Sequence, residues 1–270
     1  MKKKTGKAYF NELWELMVAH LDCFLKNGDQ EKLHQFRLQV KKLRALLVLL
    51  DTASPKNKLS KDFKPVKSIF KQCGVIREAY INLQLSANYG LKNEEFILEQ
   101  VNAMDRGIKE FGESSKKNLK IIKITHNKLK DSLGAIDDDS INEFYKTQLE
   151  QIARLLEAAQ FDDRLHDCRK KVKTLLYNRK IAANALNGKL NIDNDYLDKL
   201  QGRIGDWHDN TLAMELFSAP GVVDKAVIAR IKKEDTRLKK SINTLAHDFW
   251  KKAVLTEEDL NKEHTANVWV

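Results

Sequence analysis

Residues 33 to 44 read LHQFRLQVKKLR, and residues 165 to 177 read LHDCRKKVKTLLY. Each stretch sets a histidine, an arginine three positions on and a lysine seven positions on among apolar residues. These are His34, Arg37 and Lys41 in the first and His166, Arg169 and Lys173 in the second. Arginine offers a planar fork of N–H donors and lysine a compact ammonium, and both suit phosphate oxygens. A histidine beside them can donate a hydrogen bond, and a nearby phosphate raises its pKa and favours the cation. The chemistry these residues can do is the holding of a polyanion.

A helix has to present them. Each residue of an α-helix turns about 100°. His34, Arg37, Lys41 and Arg44 then share a sector of roughly 60–80°. Phe36, Val40, Leu43, Leu47 and Leu50 form an apolar stripe about 110° round. Gln35, Gln39 and Lys42 point elsewhere, towards water. The cations therefore border the apolar stripe, whereas a solvated face would set them opposite it and mix in glutamates. This arrangement predicts cations that look into a groove or channel between helices. His166, Arg169 and Lys173 repeat it, and Lys170 widens the stripe. Like charges lining an empty groove repel, and a polyanion relieves them. Apart from Tyr177 at the end of the second stripe, neither carries an aromatic ring to stack a base, which favours phosphates over bases.

Other cations extend the set. Arg230, Lys233, Arg237 and Lys240 fall at spacings of three and four, with His247 on the same side, and Lys116, Lys120, Lys123 and Lys130 follow a similar rhythm. Glutamates lie near these later stripes, so a solvated face explains them equally well. Lys42, Lys171 and Arg77 complete the candidates for anion contact.

The two basic stretches belong to a repeat. Leu33, His34, Arg37, Val40, Lys41 and Leu43 align with Leu165, His166, Arg169, Val172, Lys173 and Leu175. GVIRE from Gly74 and GDWHD from Gly205 align at nearly the same separation. Each has a glycine, a basic or imidazole residue three on and a carboxylate four on: Arg77 and Glu78 against His208 and Asp209. We read Glu78 and Asp209 as structural. Two modules of one fold are expected, 8–133 and 140–253, on either side of the acidic stretch LGAIDDDS, with a tail over 254–270.

Only 11 glycines and 3 prolines occur in 270 residues, too few for the turns of a β-rich chain, and no segment reads as a strand. Apolar periodicity predicts helices over about 8–27, 30–52, 60–89, 141–160, 162–186, 193–217 and 223–253. Residues 93–133 read as one long helix or two short ones, with Gly107 and Gly112 as weak points. The fold class is all-α.

The net charge of +10 points to a polyanionic partner: nucleic acid, anionic lipid or a phosphate polymer. Cys23, Cys73 and Cys168 lack CxxC spacing and read as free thiols in a reducing compartment. The start has no apolar run after its basic residues, and no segment approaches membrane-spanning length. These features predict a soluble, cytoplasmic protein with no membrane partner. No HExxH or Cys/His spacing and no glycine-rich phosphate loop occur, so no metal, cofactor or catalytic centre is expected. A His34/His166 metal pair would be repelled by the adjacent Arg and Lys.

The paired strings, each followed by its Gly-x-x-x-acid segment, resemble the conserved-histidine α-helical domain, the CHAD domain, over roughly residues 8 to 253. The resemblance implies two pseudo-symmetric four-helix bundles with a basic channel between or along them. It also implies binding of inorganic polyphosphate, often at intracellular polyphosphate granules. The positions matching the family's basic pattern are His34, Arg37, Lys41, Lys42 and Arg44, then His166, Arg169, Lys170, Lys171 and Lys173. Two positions depart from it: Leu176 stands where an arginine is usual, and Glu78 where an aspartate is. The Glu-x-Glu-x-Lys signature of the triphosphate-tunnel domain that precedes many relatives is absent, so phosphohydrolase activity is not implied. A nucleic-acid-binding or protein-interaction helical protein is the other reading these residues leave open.

Overall fold

The helical periodicity of the sequence becomes twelve helices, and no strand, among the described residues. The computed structural model describes residues 1–53, 58–157, 160–219 and 221–255. The 254–270 tail expected from the sequence lies, from residue 256 on, outside them. Among the described residues no helix is long and apolar enough to cross a membrane.

The chain falls into two compact units. The first holds Met1–Asp137 together with Glu215–Ile228, and the second holds Asp138–Met214 and the residues from Ala229 on. The chain therefore returns to the first unit after leaving it through the acidic stretch at 133 to 140.

In the first unit, α1 (Lys3–Asn27) and α2 (Gln30–Ala53) form a hairpin. Gly28 turns it, with φ +66° capping α1 and its N–H bonded back to the Phe24 carbonyl. Phe10, Leu13, Trp14, Met17, Leu21 and Phe24 line the buried face of α1 at spacings of three and four. On α2 the predicted stripe Phe36, Val40, Leu43, Leu47 and Leu50 is buried, and so are Ala45, Leu46 and Leu49. The C-terminal half of α2 is thus apolar almost all round, as a central helix must be. Each fully buried leucine contributes roughly 1.5–3 kcal/mol of transfer free energy. Gln39 is buried too, and does not face water as its helix phase suggested.

The stretch 60–89 is three helices, not one: α3 (Leu59–Asp62), α4 (Lys64–Gln72) and α5 (Gly74–Tyr89). Pro65 has no N–H to donate to Lys61, which loosens the ladder at Phe63. A second break falls at Cys73. The Asn93 side chain caps α6 (Glu94–Glu113) by accepting from the Phe96 N–H, and α7 (Ser115–Ser132) follows a break at Ser114. Neither glycine breaks this pair. Gly107 instead lets α6 approach α5, where a β-carbon on it would stand 2.8 Å from Ile76 Cγ1. On α7 the imidazole of His126 stacks on Phe10, lies tilted against Trp14 and bonds Asn11 at 3.0 Å.

The second unit contains α8 (Asp138–Glu157), α9 (Asp163–Ala185), and most of α10 (Asn194–Ser218) and α11 (Lys225–Ala246). Asp138 and Asp139 sit in the first turn of α8, where the helix dipole favours negative charge. The Tyr145 hydroxyl donates to the Leu175 carbonyl at 3.0 Å, the Tyr196 hydroxyl to Leu245 at 2.8 Å, and Asn210 Nδ2 to Ile231 at 3.3 Å. These bonds tie α8 to α9 and α10 to α11. The predicted helix over 223–253 is interrupted, because Asp248 takes a left-handed conformation (φ +55°) and starts α12 (Phe249–Ala253) afresh.

Gly107 supplies a test of the α5–α6 packing. Gly107→Ala is expected to lower stability by about 1–2 kcal/mol in urea unfolding, because overpacking against Ile76 exceeds the gain in helix propensity. Gly112, exposed and with nothing within 4 Å of its β-position, should instead gain about 0.5–1 kcal/mol on substitution by alanine. Equal responses of the two sites would refute close packing at Gly107.

Candidate functional site

Arg37 is half-buried on α2, and its guanidinium is fixed. Nη1 donates to the Phe70 carbonyl at 2.7 Å, and its carbon sits 4.0 Å from the centroid of the Phe70 ring. The break between α4 and α5 explains this bond. In a continuous helix the Phe70 carbonyl would accept from the N–H of Gly74. Here that bond is not made, and Arg37 takes the vacated lone pair. Cys73 Sγ donates to the same carbonyl at 3.3 Å, and burial pushes its thiol pKa up. Lys41 also lies over Phe70, at 6.0 Å.

Arg169, the repeat partner of Arg37, makes the equivalent bond on α9. Its Nε donates to the Gln201 carbonyl at 3.2 Å. Gln201 stands four residues before Gly205, as Phe70 stands four before Gly74. The GVIRE and GDWHD segments are therefore the helix stretches over which the two arginines lie. In the second unit the approach is closer: a β-carbon on Gly205 would stand 2.8 Å from both Nε and Nη2 of Arg169, against 3.8 Å from Arg37 Nη1 at Gly74.

One turn before Arg169, the rings of His166 and His208 face each other with centroids 4.3 Å apart. The buried Nδ1 of His166 has no hydrogen-bond partner. Burial, then His208, Lys170 and Arg169, push the His166 pKa down to about 4, with only Asp167 opposing. The imidazole is therefore neutral at neutral pH. Lys173 is half-buried, 5.7 Å from the centroid of Tyr177. Burial and then Arg169 push its ammonium down, while Asp198 and Asp209 oppose. Burial also pushes the Tyr177 phenol up to about 12, and its oxygen has no partner. His166, Arg169 and Lys173 thus lie along the seam between α9 and α10.

A cluster that the sequence reading did not pick out lies across from α2. Lys64, Lys67 and Lys71 follow one another on α4. The Lys67 pKa is pushed down by Arg44 first, then by desolvation, Lys71 and Lys64. None of the four has a carboxylate partner among the described residues. Their spacing of three and four sets them on one face of α4, but only the packing of α4 beside α2 brings Lys67 near Arg44.

Other candidates lie elsewhere or are already engaged. Lys170 pairs with Asp167 at 2.5 Å, and Lys171 donates to Gln151 on α8 at 2.5 Å. Arg237 grips Glu234 with two bonds, 2.6 and 2.9 Å. Arg230, Lys233 and Lys240 are exposed on α11. Lys42 is half-covered while Lys41 and Arg44 are exposed, the reverse of a side chain directed to water. Arg77 lies 5.0 Å over Tyr80, and desolvation pushes its pKa down. Glu78 is exposed and makes no ion pair among the described residues, so the structural role expected of it is not seen. Asp209 lies within electrostatic reach of Arg169, His208 and Lys173.

Both units are all-helical, and each lays an arginine against a helix carbonyl, as a basic helical domain. The CHAD domain family model matches residues 8–218, and the chain belongs to that family. No curated protein matches it. Among solved structures it is similar to the CHAD domain from the plant Ricinus communis, with 14% identity over 91% of each chain and a TM-score of 0.65. At that identity the likeness is one of fold.

The His166 environment predicts an acid-side loss of stability. Its folded pKa of about 4 lies below the ordinary 6.5, so between those values the unfolded chain binds the proton and the folded chain does not. The contribution is whole above pH 6.5 and declines as the pH falls towards 4. Urea midpoints measured from pH 7 to 4.5 should fall more steeply for the wild type than for His166→Gln. Parallel curves would place the titration elsewhere.

Proposed function

We propose that this protein binds inorganic polyphosphate, or a polyanion of the same linear phosphate chemistry, along the cation-lined seams of α2 with α4 and α5 and of α9 with α10. We further propose that it acts by binding, without catalysis. The observation that carries this reading is the cluster of Arg44, Lys64, Lys67 and Lys71. Arg44, Lys64 and Lys71 each stand within electrostatic reach of Lys67, and none of the four has a carboxylate partner among the described residues. A chain of phosphates supplies a charge at each step and relieves the repulsion. Arg37 and Arg169 spend one edge of the guanidinium on a helix carbonyl and keep further N–H groups for a ligand. The family's implied polyphosphate binding and its granule setting agree with this chemistry.

Nucleic acid is the weaker reading, because the aromatic rings at these seams already carry the protein's own cations. Arg37 and Lys41 lie over Phe70, Arg77 over Tyr80 and Lys173 over Tyr177. Base binding without sequence preference draws much of its strength from stacking on free aromatic faces.

Long-chain polyphosphate should displace single-stranded DNA or RNA from the protein, and its affinity should fall as salt rises. Replacing Lys64, Lys67 and Lys71 together by alanine is expected to weaken polyphosphate about tenfold or more, with a shallower salt dependence and unchanged helicity. Calorimetric titration and circular dichroism read both. Tighter binding of nucleic acid than of polyphosphate at equal phosphate concentration would overturn the proposal.

A further inference from the structure

Gly205 is a residue that α10 should not want. It is buried in the middle of a continuous helix, its φ lies outside the left-handed region, and alanine there would favour the helix. Gly202, in the same helix, has nothing within 4 Å of its β-position, so α10 has no general need for thin residues. What distinguishes Gly205 is Arg169. Three atoms of the guanidinium region, Nε, Nη2 and Cζ, stand at 2.8, 2.8 and 3.1 Å from where a β-carbon would be. The Arg169 side chain therefore lies on the bare surface of α10, where its Nε donates to the Gln201 carbonyl.

We propose that Gly205 is a positioning residue for anion binding. It holds the Arg169 guanidinium flat against α10, with Nε engaged, so that the remaining N–H groups are presented in one fixed orientation beside His166, His208 and Lys173. This rests on the proposed polyphosphate-binding function and assigns a residue that itself touches no ligand. A guanidinium is the mobile end of a long side chain, so a methyl group at position 205 displaces the arginine before it disturbs the helix. The fold survives and the orientation is lost. Rotamer entropy that the hold removes in advance must then be given up on binding. The first unit behaves differently. At Gly74 the β-position is an ordinary 3.8 Å from Arg37, and Arg37 is held by the carbonyl that the α4–α5 break leaves open. The repeat thus keeps the glycine in both halves but depends on it sterically in one.

The test is a set of variants: Gly205→Ala, Arg169→Ala, the two combined, and Gly74→Ala and Gly202→Ala as controls. Each is titrated with long-chain polyphosphate, and the Arg169 Nε–H resonance is followed by NMR in the free protein. Gly205→Ala should abolish the exchange protection of that proton and weaken polyphosphate about tenfold, the equivalent of one hydrogen bond to a charged group. In the Arg169→Ala background the same substitution should have no further effect on affinity, and both controls should bind as the wild type. Gly205→Ala with the Nε–H signal and affinity intact overturns the proposal. So does an equal loss of affinity with and without Arg169. Should Gly205→Ala fail to fold, the double variant, which lacks the clashing side chain, must fold; its failure to do so would also overturn the proposal. Unchanged affinity in Arg169→Ala would instead sink the binding function at this seam, and is recognised because the Nε–H signal still disappears in Gly205→Ala.

Discussion

A guanidinium set at the edge of a hydrophobic core needs partners for its N–H groups, and in this protein the partner is the main chain of a neighbouring helix. Much of the site's geometry follows from that requirement. A helix carbonyl is normally engaged by the N–H four residues on, so an arginine can use one only if the ladder is broken there or if the second lone pair can be approached. The first unit takes the former route. The chain kinks at Cys73, the Phe70 carbonyl loses its helix donor, and Arg37 replaces it. The second unit takes the latter, keeping α10 continuous and thinning it to a glycine so that Arg169 can come close enough. The same anchor is reached from two different backbones, and in each the cation ends up in a seam beside the core.

Once anchored, the two seams differ in charge. On the first, Arg44 and the lysines of α4 have no carboxylate partner among the described residues, and Arg44, Lys71 and Lys64 all push the Lys67 pKa down. On the second, Lys170 is paired with Asp167, Asp209 sits near Arg169 and Lys173, and His166 is neutral. A surface ion pair such as Lys170–Asp167 holds its lysine weakly, by about 0–1 kcal/mol, so it hinders a competing phosphate little. A phosphate beside the neutral His166 would favour its protonated form.

The fold was legible because its cues are local. Apolar residues at spacings of three and four mark α1, α2 and α9 within a few residues. The repeat marks both arginines and both glycines. What the sequence did not disclose depends on neighbours that periodicity cannot see. Gln39 has the helix phase of a solvent residue, yet α2 is surrounded over much of its length. Lys171 and Arg237 are candidates by type, but each has a closer partner, Gln151 and Glu234. Lys64, Lys67 and Lys71 become a site only because α4 brings them alongside Arg44. The breaks at Phe63 and Cys73 hid for another reason: apolar periodicity runs through them, and a kinked helix keeps its buried stripe.

The residues three after each glycine carry the contrast further. Arg77 in the first unit and His208 in the second occupy matching places in the repeat. Arg77 is charged at every accessible pH, and burial lowers its pKa without neutralising it. Arg77 lies over the Tyr80 ring, whereas His208 lies against a second imidazole, that of His166, with ring centroids 4.3 Å apart. Two halves of one repeat thus share an arginine anchor and surround it differently, with a guanidinium over a phenol ring in the first unit and two imidazoles in contact in the second.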